Sequence, residues 1–99
     1  MSKTAYKYEP DYVVTPGEVL EEILQSRGMH KVELAERTGL SAKQTSLIIS
    51  GKAPVTPETA IHFERVLGVS ANIWNNLESK YRLYKARRIE RDETHKRVD

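Results

Sequence analysis

The stretch Lys31–Lys52, KVELAERTGLSAKQTSLIISGK, constrains the fold of this chain more than any other. Its pattern is that of two short helices separated by a sharp corner. Gly39 permits the positive φ that such a corner requires, and Ala35 is small enough to let two crossing helices approach each other closely. The stretch therefore predicts a helical hairpin.

The second helix of this hairpin has two different sides. Ser41 and Gln44 have the spacing of a capping box, in which each side chain bonds the backbone N–H of the other residue. At about 100° per residue, one side of the helix carries Thr45, Ile48 and Ile49, which we expect to face the core. The opposite side carries Lys43, Ser46, Leu47 and Ser50, and Ala42 and Gln44 lie at its edges.

The outer side of this helix suits the major groove of DNA, which is wide enough for an α-helix and displays base-edge donors, acceptors and thymine methyl groups. Leu47 between serines and a lysine is unusual for a side that meets only water, but it matches a thymine methyl group. The alternative is an ordinary helical hairpin whose outer side is merely solvated. We favour the DNA-contacting interpretation.

Three further helices are predicted around the hairpin, because each has recognisable start or stop signals. The first begins with Thr15 as N-cap and Pro16 at its first position, and it ends at Gly28. Another begins at Thr56-Pro57 and ends at Gly68, and the last begins after Ser70. The apolar positions expected to face the core are Val19, Leu20, Ile23, Leu24, Ala60, Phe63, Val66 and Leu67.

The chain is expected to hold one domain, residues 14–84, with a different segment at each end. Residues 1–13 carry three tyrosines without helical periodicity, which predicts an extended N-terminal arm; a partly disordered terminus is the alternative. Residues 85–99 are mostly charged and are interpreted as a helix end or tail. That segment is either solvated or contacts DNA phosphate or a partner protein.

Composition narrows the class of protein. With 99 residues there is little room for an enzyme cleft, so we expect no enzyme. The absence of cysteine excludes disulfides and thiolate metal sites, and His30, His62 and His95 lack the spacing of metal ligands. We expect no cofactor, no membrane contact and a cytoplasmic location, since no segment approaches the ~20 apolar residues of a membrane span.

Positive charge is concentrated in two parts of the chain. Residues 31–55 hold four basic and two acidic residues, and residues 79–99 hold eight and four. The hairpin and the C-terminal segment are therefore the parts best suited to a negatively charged partner.

Four segments carry a resemblance to a known family: PGEVLEEIL at Pro16–Leu24, ELAERTGLS at Glu33–Ser41, ISGKAPVTPETA at Ile49–Ala60 and LGVSANIWNNLESKY at Leu67–Tyr81. On these residues the chain resembles the helix-turn-helix domains of phage-repressor (Cro/C1, or XRE) type, and more closely the HigA-type antitoxins of bacterial toxin–antitoxin modules. The resemblance covers residues 13–84. It implies an all-α, five-helix, lambda-repressor-like domain with an extended N-terminal arm and a long C-terminal helix.

The function implied by this resemblance is that of an antitoxin and autorepressor. Such a protein binds a palindromic operator in its own promoter as a homodimer, and it holds a HigB-type RNA-cleaving toxin inactive. One alternative is a stand-alone XRE-family repressor without a toxin. Another is a protein-binding module related to the N-terminal domain of longer, peptidase-containing regulators.

The resemblance also implies roles for individual residues. By matching positions, contacts to DNA bases are expected from Ala42, Lys43, Ser46 and Leu47. Contacts to DNA phosphates are expected from Lys31, Ser41, Gln44, Ser50 and Lys52. His30 departs from the family pattern, because a serine or threonine cap often stands at that position.

Candidates for a dimer interface come from apolar residues outside the predicted core arcs. Ile61 falls off the apolar arc of its helix, and Trp74, Tyr81 and Tyr84 belong to an apolar stripe of the last helix. For Trp74 the alternative is a place in the core, and that alternative is the stronger one.

Overall fold

The computed structural model describes residues 13–98 of the chain, and their side chains as far as residue 92. This part contains five helices and no strand, which confirms the predicted all-α fold. The helices are α1 (Pro16–Arg27), α2 (Lys31–Thr38), α3 (Ala42–Ile49), α4 (Pro57–Leu67) and α5 (Ala71–Val98). The tyrosine-rich arm predicted at the N-terminus lies outside the described residues, except for Val13.

The predicted caps of α1, α4 and α5 are present. Thr15 Oγ1 accepts from Glu18 N at 3.1 Å, and Glu18 Oε1 accepts from Thr15 N at 3.2 Å, so the capping box of α1 is complete. Thr56 Oγ1 accepts from Thr59 N at 3.2 Å at the start of α4. Ser70 Oγ accepts from Asn72 N at 3.1 Å at the start of α5. Such caps are each worth about 1 kcal/mol.

Of the two hydrogen bonds predicted for the capping box at the start of α3, one is present and the other was wrongly predicted. Ser41 Oγ accepts from Gln44 N at 3.0 Å as expected, but the Gln44 side chain does not return a bond to Ser41 N. Gln44 is exposed, so water satisfies its amide as well as the backbone would. His30 lies at the N-cap of α2 without a side-chain hydrogen bond, as its departure from the family pattern suggested.

The core joins all five helices through a small set of fully buried side chains. The largest of them are Trp74 from α5, Phe63 from α4, Leu20 from α1, Leu34 from α2 and Ile48 from α3. The rings of Phe63 and Trp74 meet edge to face with centroids 5.1 Å apart, an arrangement that adds about 0.5–1.5 kcal/mol to the burial of their area.

The first turn of α1 packs directly on the last turn of α3. At Gly17 an added Cβ would lie 2.6 Å from the Ile48 carbonyl oxygen, and it would also press on the carbonyl of Ile49. Only a residue without a side chain allows this approach. The contact places α1 behind α3, and no local pattern in the sequence predicts it.

The fifth helix continues without interruption from Ala71 to Val98. The C-terminal segment was interpreted as either a helix end or a tail. In the structure, residues 85–98 are helical and form the end of α5. The side chains of residues 85–92 are exposed. No helix among the described residues combines the length and the apolar character needed to cross a membrane.

We expect Gly17→Ala to lower the free energy of unfolding by about 1–3 kcal/mol, because the new methyl group overpacks a contact made by backbone. Alanine is otherwise favoured over glycine in a helix by about 0.5–1 kcal/mol. Urea denaturation of the purified protein measures the effect. Gln25→Ala, in an exposed position of the same helix, is the control and should be nearly neutral; a Gly17→Ala protein as stable as the wild type would contradict the packing argument.

Candidate nucleic-acid interface

The two sides of α3 differ in exposure as predicted. Thr45, Ile48 and Ile49 are buried against the rest of the domain. The residues expected to contact DNA bases lie on the other side, where Ala42, Lys43 and Ser46 are exposed and Leu47 is half-buried. The structure thus brings all four of these candidates together on one helix surface.

The residues expected to contact phosphate lie at both ends of this surface. Lys31 opens α2, Ser41 and Gln44 lie at the start of α3, and Ser50 and Lys52 follow its last turn; all five are exposed. The ion pairs Glu33–Arg37 and Glu78–Arg82 do not involve the lysines of this set. Among the described residues, Lys31 and Lys52 are thus exposed and take no part in these two ion pairs.

Ser50 has a constraint that its position in the sequence does not reveal. Its hydroxyl donates to the Leu47 carbonyl oxygen at 3.1 Å. To donate to a phosphate, Ser50 must give up this bond, so it is the weakest member of the predicted phosphate set.

The turn after α3 is folded around the same carbonyl oxygen of Leu47. Lys52 N and Ala53 N both donate to it, at 2.9 and 3.1 Å, and Gly51 takes a left-handed conformation with φ of 84°. Lys52 is consequently held in a defined place relative to the outer side of α3.

A buried carboxylate ties the continuation of this turn to α5. Glu78 Oε1 accepts from Val55 N at 2.9 Å, and Glu78 Oε2 accepts from Arg82 Nε at 2.9 Å. Glu78 is only 9% exposed, so its removal would leave a buried N–H without a partner. Glu78 was not predicted as part of this site, because its backbone partner Val55 lies 23 residues away in the chain.

The corner between α2 and α3 has the predicted positive φ at glycine, and Thr38 adds hydrogen bonds that were not predicted. Gly39 ends α2 in a left-handed conformation with φ of 81°. The buried Thr38 hydroxyl donates to the Leu34 carbonyl at 2.8 Å and accepts from Leu40 N at 3.3 Å. These bonds give partners to the Thr38 hydroxyl and to the Leu40 N–H inside the corner, where the regular hydrogen bonding of α2 has ended.

Comparison with known proteins identifies the family. The family model described as helix-turn-helix matches residues 20–74. This range runs from within α1 to the start of α5 and includes α2, the corner and α3. The chain belongs to the helix-turn-helix family. It is also 32% identical over 71 residues to the uncharacterized HTH-type transcriptional regulator YddM of Escherichia coli strain K12, covering 72% of this chain and 76% of that protein.

Solved structures share the arrangement of the helix-turn-helix domain. A proposed antidote protein of a plasmid maintenance system from Nostoc punctiforme matches with a TM-score of 0.85 and 28% identity, over 88% of this chain and 96% of that chain. The Pseudomonas aeruginosa antitoxin HigA, solved with the higBA promoter, matches with a TM-score of 0.78 and 26% identity, over 89% and 97%. The structural neighbours of this helix-turn-helix chain thus include antitoxins.

The four dimer candidates of the helix-turn-helix domain are placed very differently. Trp74 has no exposed surface in the described chain, so it belongs to the core, the alternative that the sequence favoured. Its edge contact with Phe63 is the reason. Ile61 is 44% exposed on α4, and Tyr81 and Tyr84 are half-buried along α5. These three remain predictions for a dimer surface.

The described part of this helix-turn-helix domain shows no cluster of side chains suited to a metal ion. No three histidine, aspartate or glutamate side chains group there as metal ligands would. His30 is the N-cap of α2 and His62 lies within α4. His95 falls beyond the described side chains.

Proposed function

We propose that this protein is a DNA-binding antitoxin that represses its own operon as a dimer and neutralises a HigB-type RNA-cleaving toxin. The observation that carries the DNA-binding part is the outer side of α3, where a lysine, a serine and two apolar residues stand exposed or half-exposed, with Lys52 in the turn that follows the helix. This combination is unusual for a helix side that meets only water, but it matches the donors, acceptors and methyl groups that a major groove displays.

Each base-contacting candidate has a chemistry that base edges can recognise. The Lys43 ammonium donates to guanine O6 or N7, and the Ser46 hydroxyl donates or accepts. Ala42 and Leu47 offer apolar contacts for thymine methyl groups. Phosphate contacts from Lys31, Ser41, Gln44, Ser50 and Lys52 set the register of α3 in the groove without reading sequence.

The antitoxin part of the proposal is supported by the structural neighbours. The matching HigA of Pseudomonas aeruginosa is described as an antitoxin solved with its promoter, and a HigA-family antidote protein from Coxiella burnetii matches with a TM-score of 0.73 and 25% identity. A dimer suits a palindromic operator because two copies of α3 then read two half-sites. Ile61, Tyr81 and Tyr84 are the candidates for its interface.

A stand-alone repressor is the second candidate function. It is favoured by the similarity to YddM, which is described as a transcriptional regulator and not as an antitoxin. A protein-binding module with an unused DNA surface is the third candidate. Specific DNA binding falls steeply with salt because neutralised phosphates release counterions, so a flat, weak salt response would favour the third.

Lys43→Ala should weaken binding to the operator by about 1–3 kcal/mol, since it removes a donor to a base edge. Binding to scrambled DNA should change much less. Fluorescence anisotropy with both duplexes measures this difference, and the exposed Lys31→Ala variant is the control, because loss of a phosphate contact weakens both duplexes alike. Equal losses for Lys43→Ala on both duplexes would show that Lys43 contacts only phosphate.

The dimer should protect two half-sites whose centres lie about 34–36 Å apart, one turn of DNA, because each α3 reads one half-site. DNase footprinting on the upstream DNA measures the spacing, and sedimentation of the complex gives its stoichiometry. A single half-site protected by one protein chain would contradict the dimer.

The neighbouring gene should encode a small basic ribonuclease that co-purifies with this protein. Adding the protein should suppress cleavage of translated RNA by that ribonuclease, and a helix-turn-helix repressor from an unrelated operon is the control. If the neighbouring product neither binds nor is inhibited, while operator binding is retained, the stand-alone repressor is the correct function.

A further inference from the structure

A cleft of about 220 Å³ lies beside the turn that follows α3. Its walls come from the first turn of α1, from the turn itself and from α5. Three of its side chains are cations: Lys52 from the turn, and Arg82 and Lys85 from α5. We call this feature the basic cleft.

The positive charge of the basic cleft is only partly balanced. Glu78 is the carboxylate in its wall, and it is already bonded to Val55 N and to Arg82 Nε. Three cations and one carboxylate leave a formal charge of +2. The Arg82 side chain is 61% exposed, so the rest of its guanidinium faces solvent, and Lys52 and Lys85 are exposed as well.

Tyr81 gives the cleft a fixed wall between the turn and α5. Lys85 Nζ lies 5.1 Å from the centroid of the Tyr81 ring, a distance at which a cation is attracted to the ring face. The Tyr81 hydroxyl lies 3.8 Å from the point that a Cβ on Gly51 would occupy. The ring therefore holds Lys85 on the side of α5 that meets the turn.

The basic cleft is connected rigidly to the surface proposed to read DNA. Lys52 N donates to the Leu47 carbonyl oxygen of α3, and Val55 N donates to Glu78 of α5. A helix seated in the major groove brings the turn after it close to the phosphate backbone. Because Lys52 of this turn lines the basic cleft together with Arg82 and Lys85, a phosphate that reaches Lys52 also lies beside the cations of α5.

We propose that the basic cleft binds a backbone phosphate of the operator, so that Arg82 and Lys85 of α5 extend the DNA contacts beyond the helix-turn-helix. Arg82 and Lys85 contact the phosphate together with Lys52, and Tyr81 positions Lys85, so Tyr81 in this proposal lines the cleft and is not part of a dimer interface. Guanidinium and ammonium groups converging from two elements suit a phosphodiester. This inference rests on the proposed DNA binding and adds residues that neither the hairpin nor its resemblance includes.

The matched pair Lys85→Gln and Lys80→Gln tests the proposal. Both lysines are exposed on α5, both variants lose one charge, and Lys80 does not line the cleft. Lys85→Gln should reduce the steepness of log K against log salt by about 0.9 per bound chain. If the two proteins bind equally at 1 M salt, this smaller slope makes binding at 0.1 M salt roughly eightfold weaker per chain, on operator and scrambled DNA alike. Lys80→Gln should bind as the wild type does, and Lys85→Arg should restore most of the affinity.

Several results would overturn the proposal. Equal effects of Lys85→Gln and Lys80→Gln would mean that only net charge matters, and an unchanged Lys85→Gln protein would mean that the cleft faces another partner, such as an acidic protein segment. In both cases the wild type still binds the operator with a steep salt dependence, so the proposed function stands. A wild type without such binding defeats both proposals. Thermal melts of the variants confirm that each one is folded.

Discussion

The structure depends on how closely the end of α3 packs against the beginning of α1. Gly17 lets backbone meet backbone there, and the side chains of Ile48 and Ile49 are buried in the core. Because this contact occupies the inner side of α3, the helix cannot rotate, and its other side must face outward. The orientation of the proposed reading surface is thus a consequence of packing on the opposite side of the same helix.

The turn after α3 is a second structural joint, built from hydrogen bonds and not from apolar contacts. The Leu47 carbonyl gathers donors from Lys52 and Ala53, and the buried Glu78 holds Val55. A buried carboxylate is costly unless it is fully bonded, and here both oxygens have partners. These bonds tie the turn to both α3 and α5, and the turn shares the basic cleft with the cations of α5.

This arrangement brings together positive charge that lies in two separate segments of the sequence. In sequence, the basic residues of the hairpin and those near the start of the last charged segment are far apart. In the fold, Lys52, Arg82 and Lys85 line one cleft. A phosphate backbone is a continuous line of charge, so cations from distant segments act on it together when the fold places them along one edge.

The number of helices, their starts and the two sides of α3 were determined by the sequence alone, because caps, left-handed glycines and the helical period are local properties of residues such as Thr15, Gly28 and Ile48. The half-formed cap at Gln44 shows the limit of that reasoning, since solvent competes for an exposed amide. The close approach at Gly17, the burial of Glu78 and the place of Lys52 and Lys85 in one cleft were decided only by the tertiary structure. Each joins residues far apart in the chain, and such a contact depends on how whole helices pack, which no local pattern specifies.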